Sequence, residues 1–365
     1  MMDDRESKSP LFLLYVGLKY DYGIPERGFS YEHMNFLDTL KRMKGLHVEF
    51  FPFDDVMREV GREEMNDRLL EMVKGQVPDI CFFVLFTDEI KRSTIQEISA
   101  SGRTTTLNWF GDDHWRFQVF SRHYAQCFHW VITTDSAAVE KYKGIGCRNV
   151  MLTQWGFNHH LYHRYNIPLE YDVTFIGQVH SRRRKAINRV QAAGIDVKCW
   201  GRGWEAGRLG QEEMIRMYSR SKINLNFTES SVVFSWKPLA KIFLNRRADN
   251  SIVTNTPTTM WDHVWMMLGD RRPQIKGRNF EIPGSGGFLL TSDAGHLEEY
   301  FVPGKEIAVF SDNDDLIDKV RYYLLHDDER ESIRRAGYER ALRDHTNEQR
   351  LSEILETMGF KNVGI

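Results

Sequence analysis

Two stretches of this chain combine cations with glycines in a pattern that suits a small anionic ligand. The first, Lys276–Thr291, has two cations and a carboxylate followed by a glycine cluster and a short apolar run. Cations and backbone N–H groups bind a diphosphate, and glycines let the backbone approach a sugar closely. Glu281 can accept hydrogen bonds from ribose or sugar hydroxyls, although a glycine-rich turn with a buried ion pair explains the same residues. The candidate contacts are Lys276, Arg278, Glu281, Gly286 and Gly287.

The second stretch, Phe175–Lys185, places a basic run directly after a predicted strand. The strand ends at Gly177, and Ser181 is a candidate N-cap of a helix whose first turn contains Arg182, Arg183, Arg184 and Lys185. Exposed cations at a helix N-terminus cost about 0.3 kcal/mol or more each, because the helix dipole is already positive there. A bound anion would reverse the sign of this contribution, and a solvated charged turn is the alternative. Both stretches are predicted at strand-to-helix connections of one domain, at the carboxyl edge of a parallel sheet.

A third group of candidates lies in the first half of the chain, where Asp112, Asp113 and His114 follow a predicted strand. A carboxylate or an imidazole there can act as a general base on an acceptor hydroxyl. A capping or turn role for the two aspartates is the alternative. Their spacing is poor for a metal site, and we expect no metal ligands among them.

Composition limits the classes of function. The chain has 365 residues, which favours two domains, and its net charge of −2 provides no overall positive field for nucleic acid or an anionic membrane. No apolar run approaches the ~20 residues needed to span a bilayer, and the N-terminus lacks an apolar signal core, so we expect a cytoplasmic protein. The four cysteines form no CxxC pair, which favours reduced thiols.

Predicted strands and helices alternate along the chain, which indicates an α/β protein with parallel sheets covered on both faces. A first cycle begins with the apolar strand Leu11–Val16, and a second begins at Asp172 after a linker near Tyr162–Tyr171. The stretch at about 228–275 resists this scheme and is interpreted as an elaboration of the second domain. A long helical tail is predicted from Leu316 to Met358.

At these motifs the sequence resembles the glycosyltransferases of the GT-B fold and, within them, the family named after the spore maturation protein CgeB. The resemblance spans roughly residues 172 to 350 in order and is weaker in the first half. The matching residues are Phe175-Ile176-Gly177 with the arginine run, Gly201, Gly203-Trp204, Tyr218-Ser219, Ser221-Lys222-Ile223, Leu225-Asn226, Lys276-Gly277-Arg278, Phe280-Glu281-Ile282-Pro283, Gly286-Gly287-Phe288-Leu289-Leu290-Thr291, Leu297-Glu298, Tyr300-Phe301, Gly304-Lys305-Glu306 and His345-Thr346.

The resemblance implies two Rossmann-like domains that face a cleft. Residues 1–165 would bind the acceptor, residues 166–340 the nucleotide sugar, and residues 341–365 would form a C-terminal helix returning toward the N-terminal domain. It also implies roles for single residues, with cations in place of a metal at the departing diphosphate. The implied donor contacts are Gly177 and Arg183 or its neighbours Arg182 and Arg184 at the diphosphate, Lys276 and Arg278 beside it, Glu281 at the ribose, Gly286 and Gly287 at the sugar or phosphate, and Glu298.

The expected function is transfer of a sugar from a nucleotide-diphosphate donor to a hydroxyl of a glycan or polar metabolite, with the donor as a substrate and no cofactor. Two alternatives stay open. One is glycosylation of hydroxylated bases in nucleic acid, and the other is a non-catalytic nucleotide-sugar-binding protein. Inversion of the sugar would require a base such as Asp112, Asp113 or His114, whereas retention would not.

Overall fold

The computed structural model describes residues 10–228, 243–248, 251–268, 272–361 and 363–364. The chain divides into two compact units, and each contains a parallel sheet, so the predicted α/β class is confirmed. Unit 1 comprises Met1–Gln154, Phe234–Asp270 and Glu348–Ile365, and unit 2 comprises Trp155–Val233 and Arg271–Asn347.

The sheet of unit 1 has six parallel strands in the order β2-β1-β3-β4-β5-β6. Its central strands are buried on both faces, as the continuous apolar runs predict. The sixth strand is short and was not predicted. The strands are β1 (Leu11–Gly17), β2 (Leu46–Pro52), β3 (Ile80–Phe83), β4 (Thr105–Phe110), β5 (Trp130–Thr133) and β6 (Val150–Leu152).

Helices of unit 1 connect these strands and bury their apolar sides against the sheet. The longest, Phe53–Gln76, packs Met65, Leu69 and Val73 into the core. The α-helices are Asp38–Arg42, Phe53–Gln76, Arg92–Ala100, Asp113–Arg116, Arg122–Tyr124, Ser136–Gly144 and Pro257–Leu268, with π-helical turns at His33–Leu37 and Phe117–Ser121. The antiparallel pair β10 (Leu244–Arg246) and β11 (Ile252–Thr254) also belongs to this unit.

The sheet of unit 2 has five parallel strands in the order β13-β12-β9-β7-β8. The helix Gln211–Arg220 shows how its helices form, with two glutamates in the first turn and Met214, Ile215 and Tyr218 buried on one face. The strands are β7 (Tyr171–Ile176), β8 (Val197–Trp200), β9 (Ser221–Asn226), β12 (Leu289–Ser292) and β13 (Ala308–Phe310). The helices are Ser181–Ala192, Gln211–Arg220, Arg278–Gly284, Asn313–Leu325 and Asp327–Asp344.

One prediction about local structure is confirmed and one was wrong. The predicted helical tail is present and consists of three helices, Asn313–Leu325, Asp327–Asp344 and Asn347–Thr357, interrupted at His326 and at His345-Thr346. The segment after Lys276 is not a strand-to-helix connection, because Arg278–Gly284 is a helix that leads into β12. Its Arg278 and Glu281 are three residues apart and pair on one helix face.

The stretch at about 228–275, predicted as an elaboration of the second domain, divides differently in the structure. Residues 234–270 group with unit 1. Residues 229–242, 249–250 and 269–271 of the stretch, including Trp236, lie outside the described residues. The described part contains β10, β11 and the helix Pro257–Leu268. Within the described ranges, no helix combines the length and the apolar character needed to cross a membrane.

Candidate functional site

The carboxyl edge of the unit 2 sheet is built from tightly packed loops after β7 and β8. Gly177 N–H donates to the carbonyl of Trp200 at 2.9 Å, and the indole N–H of Trp204 donates back to the Gly177 carbonyl at 2.9 Å. Gly201 has a φ of +129°, and a Cβ there would collide with the Gly177 carbonyl. Glycine is therefore required at position 201, and Gly177 forms part of the loop framework at this edge.

The helix Ser181–Ala192 begins at this same edge. Its N-cap is His180 in an extended conformation, so Ser181 is the first helical residue and not the predicted cap. The first turn contains Arg182, Arg183 and Arg184 and no acidic residue. The positive charge of the arginines is therefore added to the positive end of the helix dipole. This arrangement is favourable only when an anion is bound there.

Of the three arginines, Arg183 is held over the sheet edge. Its guanidinium donates to the Gln178 carbonyl at 3.0 Å and to the Phe227 carbonyl at 3.3 Å, which joins the residues after β7 to those after β9. Arg182 and Arg184 are exposed. Arg184 donates to the Gly203 carbonyl at 3.1 Å, so it points toward the loop after β8.

His180 and Lys276 complete a cluster of cations with Arg183, which we call the cationic cradle. Burial lowers the pKa of His180, and the charges of Arg183 and Lys276 lower it further. The two stretches approach each other because Arg183 donates to the Phe227 carbonyl and the Gln274 N–H donates to the carbonyl of the next residue, Thr228, at 3.1 Å. Lys276 is anchored through its backbone N–H, which donates to Asn279 Oδ1 at 3.0 Å, and Asn226 at the end of β9 donates to the same oxygen at 3.2 Å. The two basic stretches of the sequence thus meet at one edge. His180 was not among the predicted contacts, although its position between Gly177 and the arginine run could have indicated it.

An anion bound in the cationic cradle is expected to raise the pKa of His180, because it offsets the two neighbouring cations that lower it. Binding would then take up a proton. The affinity for sulfate, whose charge is constant between about pH 5 and 8, should rise as the pH falls through the window between the two pKa values. The measurement is an NMR titration of the His180 ring protons, assigned with His180→Gln, with and without sulfate. Equal pKa values in the two titrations would contradict the cradle.

Glu281 lies in a buried hydrogen-bond network of unit 2. It is 1% exposed, and its Oε1 accepts from the Tyr162 hydroxyl at 2.9 Å while its Oε2 pairs with Arg278. Gln211 donates to the Tyr162 hydroxyl at 2.7 Å. Burial raises the pKa of Tyr162, and the Glu281 charge raises it further, which keeps the phenol as a hydrogen-bond donor. The buried ion pair that the sequence offered as an alternative is therefore present.

Gly286 and Gly287 lie away from the cationic cradle, because they precede β12 at its amino end. Gly286 has a φ of +66°, and a Cβ there would lie 2.7 Å from Cγ of Arg164. A Cβ at Gly287 would lie 2.9 Å from Asn224 Nδ2. Packing alone explains both glycines, and we do not include them in the site. Glu298 is exposed in the short turn Leu297–Glu299 that follows β12.

In unit 1, Asp112, Asp113 and His114 follow β4 as predicted, but they differ in accessibility. Asp113 is 1% exposed, and its Oδ2 accepts from Thr133 at 2.6 Å and from Tyr142 at 2.8 Å. Burial raises the pKa of Asp113 to about 6. Its Oδ2 is therefore engaged by two hydroxyl groups of the unit 1 core. Asp112 is exposed, and His114 is half-buried.

Asp112 belongs to an acidic edge that the sequence did not predict as a unit. Burial raises the pKa of Glu32, and the charges of Asp112 and Asp21 raise it further. Asp21 follows β1 and Asp112 follows β4, and both strands end at the carboxyl edge of the unit 1 sheet. No spacing rule links Asp21, Glu32 and Asp112, because they lie far apart in the sequence.

The comparisons with known proteins agree with this architecture. Residues 182–356 match the family model described as "Glycosyl transferase-like". A search of curated protein sequences gave no match. Among solved structures, Anabaena HepE in complex with UDP-glucose aligns with a TM-score of 0.59 at 9% identity, over 96% of this chain and 99% of that chain.

Two further structures show how widely this fold is used. Sucrose-phosphate synthase from Thermosynechococcus elongatus aligns with a TM-score of 0.57 at 12% identity, over 96% of this chain and 100% of that chain. A UDP-N-acetylglucosamine 2-epimerase aligns with a TM-score of 0.51 at 11% identity, over 97% and 98%. At these identities the structures establish the fold and leave the reaction open. The chain has the α/β architecture of these GT-B-like structures, with a parallel sheet in each unit, and its residues 182–356 match the glycosyl transferase-like family model.

Proposed function

We propose that this protein transfers a sugar from a nucleotide-diphosphate donor to a hydroxyl group, and that unit 2 binds the donor. The observation that carries the proposal is the cationic cradle, in which Arg183 and Lys276 lie at the carboxyl edge of the unit 2 sheet beside the helix N-terminus at His180. Ligands of open α/β sheets bind at this edge. HepE, a structural neighbour, was solved in complex with UDP-glucose, which supports UDP-sugars as the first donors to test.

In the proposed mechanism the cationic cradle stabilises the diphosphate as it leaves the sugar. Negative charge on the leaving group increases as the glycosidic bond breaks, and fixed cations lower the energy of that charge in the transition state. Arg183 and Lys276 supply permanent positive charge, so the proposed reaction needs no metal ion. We place the diphosphate against the first turn of the helix Ser181–Ala192, which carries the dipole's positive end.

We keep Glu281 as the candidate contact for the ribose hydroxyls, in agreement with its place in the motif Lys276–Thr291. A carboxylate offers about four acceptor positions, and Tyr162 and Arg278 each take one. Acceptor positions therefore remain for a ribose, which reaches this buried carboxylate when neighbouring side chains move aside. Glu298 remains a candidate on the sugar side, since it lies in the loop after the carboxyl end of β12.

On the acceptor side we propose the acidic edge of unit 1 as the source of a general base. Asp112 is exposed and Glu32 has a raised pKa, whereas Asp113 is occupied by Thr133 and Tyr142. A carboxylate with a raised pKa is a better proton acceptor at neutral pH than an ordinary one. Three carboxylates also repel a phosphate backbone, so the edge favours a neutral hydroxylated acceptor over nucleic acid.

Within the glycosyl transferase-like proteins we place the chain with the CgeB family, as a hexosyltransferase. The support is the run of motifs in unit 2, from Phe175-Ile176-Gly177 through Lys276–Thr291 to His345-Thr346. Two of these motifs contribute residues to the cationic cradle, the arginine run after Phe175-Ile176-Gly177 and the stretch Lys276–Thr291.

The proposal is tested by incubating the full chain with UDP-glucose, GDP-mannose and ADP-glucose, first alone and then with glycan and small polyol acceptors. We expect one donor to bind by calorimetry and to release its nucleoside diphosphate, with the sugar recovered on water or on the acceptor. Binding without release would favour the non-catalytic nucleotide-sugar-binding alternative. A sugar altered in configuration but still attached to the nucleotide would indicate epimerisation, and failure of all donors to bind would reject the cationic cradle as a donor site.

A further inference from the structure

A cavity of about 490 Å³ opens on unit 1 between the π-helical turn Phe117–Ser121 and the helix Pro257–Leu268. All of its lining residues belong to unit 1, whereas the residues of the proposed donor site belong to unit 2. Trp261 contributes one wall and is 66% exposed. The lining residues are Gln118, Arg122, Pro257, Thr258, Trp261 and Asp262.

The exposed indole is unusual, because tryptophan normally buries most of its large apolar surface. On the same helix, Asp262 is 6% exposed although it carries a charge. The cavity therefore combines an open aromatic face with a fixed, buried carboxylate. Small-molecule sites have this character, with apolar walls and a few convergent polar groups, and their volumes fall between about 300 and 1,000 Å³.

The polar groups of the cavity hold one another in place. Asp262 Oδ2 lies 3.1 Å from His123 Nε2, and Asp262 Oδ1 lies 3.6 Å from Arg122 Nη1. The same Arg122 nitrogen donates to Gln118 Oε1 at 2.7 Å. The charges of Arg122 and Asp262 offset each other, so the lining offers planar donors and acceptors without a net field. Such a lining suits a neutral ligand that has several hydroxyl groups.

We infer that this cavity binds a sugar ring of a neutral oligosaccharide. The apolar C–H face of a pyranose would stack on Trp261, and its hydroxyls would bond with Gln118, Arg122 and Asp262. Stacking on an aromatic face combined with planar polar side chains is chemistry that recognises sugars. The inference does not depend on the proposed transfer reaction, because the site would bind a glycan with or without a donor in unit 2.

The test uses the full chain labelled with 5-fluorotryptophan, which gives one fluorine resonance for each of nine tryptophans. The resonance missing from Trp261→Ala identifies Trp261. Maltohexaose, cellohexaose and chitohexaose serve as probes. We expect at least one of them to shift the Trp261 resonance selectively and in a saturable way. Saturation-transfer NMR should then show affinity at least fivefold weaker in Trp261→Ala and also reduced in Gln118→Ala.

Trp130→Phe is the matched control, because Trp130 is a half-buried tryptophan of the same unit at the start of β5. It should bind the oligosaccharide as the unchanged protein does. The inference is overturned if no probe shifts the Trp261 resonance, or if binding survives in Trp261→Ala. It is also overturned if the resonance responds to protein concentration and not to sugar, which would make the cavity a contact between copies of the chain. Donor binding by Trp261→Ala should be unchanged, so a failure here is distinguishable from a failure of the proposed function.

Discussion

Arg183→Ala is expected to lower the affinity for the nucleotide-sugar donor by about 10- to 100-fold, measured by isothermal titration calorimetry. A hydrogen bond between a charged donor and a phosphate contributes roughly 1.5–3 kcal/mol, which corresponds to a change of that size. Arg183 is the arginine of the run whose guanidinium reaches the residues after both β7 and β9. Its loss would remove the cation that lies closest to the sheet edge.

Arg182→Ala is the matched control for this prediction. Arg182 occupies the same helical turn and has the same charge, but it is exposed and lies one residue away from the sheet-facing position. Its replacement should change donor affinity less than threefold, the effect of a distant charge screened by solvent. If Arg182→Ala and Arg183→Ala lowered donor affinity equally, donor binding would depend only on the overall charge of the helix. The proposed role of Arg183 in the cationic cradle would then be wrong.

Glu281→Ala is expected to lower the midpoint of the thermal transition that reports on unit 2 by about 5–10 °C. The change leaves Arg278 without its carboxylate and Tyr162 without its acceptor, both beside a buried position. Breaking a buried pair costs about 3–5 kcal/mol, and because the Arg278 side chain is 30% exposed we expect roughly 2–3 kcal/mol. In a unit of this size each kcal/mol shifts the midpoint by about 2–4 °C. Differential scanning calorimetry measures the shift.

Glu281→Gln separates the structural role of Glu281 from its proposed contact with ribose. Glutamine keeps the shape of the glutamate side chain and can still accept a hydrogen bond from Tyr162. The midpoint of the thermal transition of Glu281→Gln should therefore lie closer to that of the unchanged protein than the midpoint of Glu281→Ala does. If Glu281 binds ribose, the glutamine variant should also lose about tenfold in donor affinity, because a hydrogen bond to a charged acceptor becomes one to a neutral acceptor. Unchanged donor affinity in both variants would mean that Glu281 does not contact the ribose and that its role is limited to the ion pair with Arg278.

Much of the fold could be predicted from the sequence, because both sheets consist of short apolar strands separated by amphipathic helices. The run Leu11–Val16 was predicted as a strand and the second cycle was predicted to begin at Asp172, and each position is part of a strand in the structure. The helix Arg278–Gly284 was missed, because glycines and a proline obscure a turn that forms mainly through packing. Tertiary contacts that bury Phe280 and Ile282 outweigh that weak local preference.

The site could be predicted only in part, for a different reason. Residue type identifies a cation or a glycine, but the topology decides at which edge of the sheet it lies. Lys276 and Gly286 are ten residues apart in one motif, yet the helix between them separates the carboxyl edge from the amino end of β12. The acidic edge had no sequence signal at all, because Asp21, Glu32 and Asp112 come together only when β1 and β4 share a sheet.

The two carbonyls that hold Arg183 also bear on the entropy of ligand capture. A long flexible side chain loses about 0.5–1.5 kcal/mol of rotational freedom when a ligand immobilises it. In Arg183 the Gln178 and Phe227 carbonyls already restrict the guanidinium before any anion arrives, and two of its five N–H donors suffice for that. The guanidinium is therefore ordered before an anion arrives, and binding avoids the loss of side-chain entropy that a mobile surface arginine would undergo.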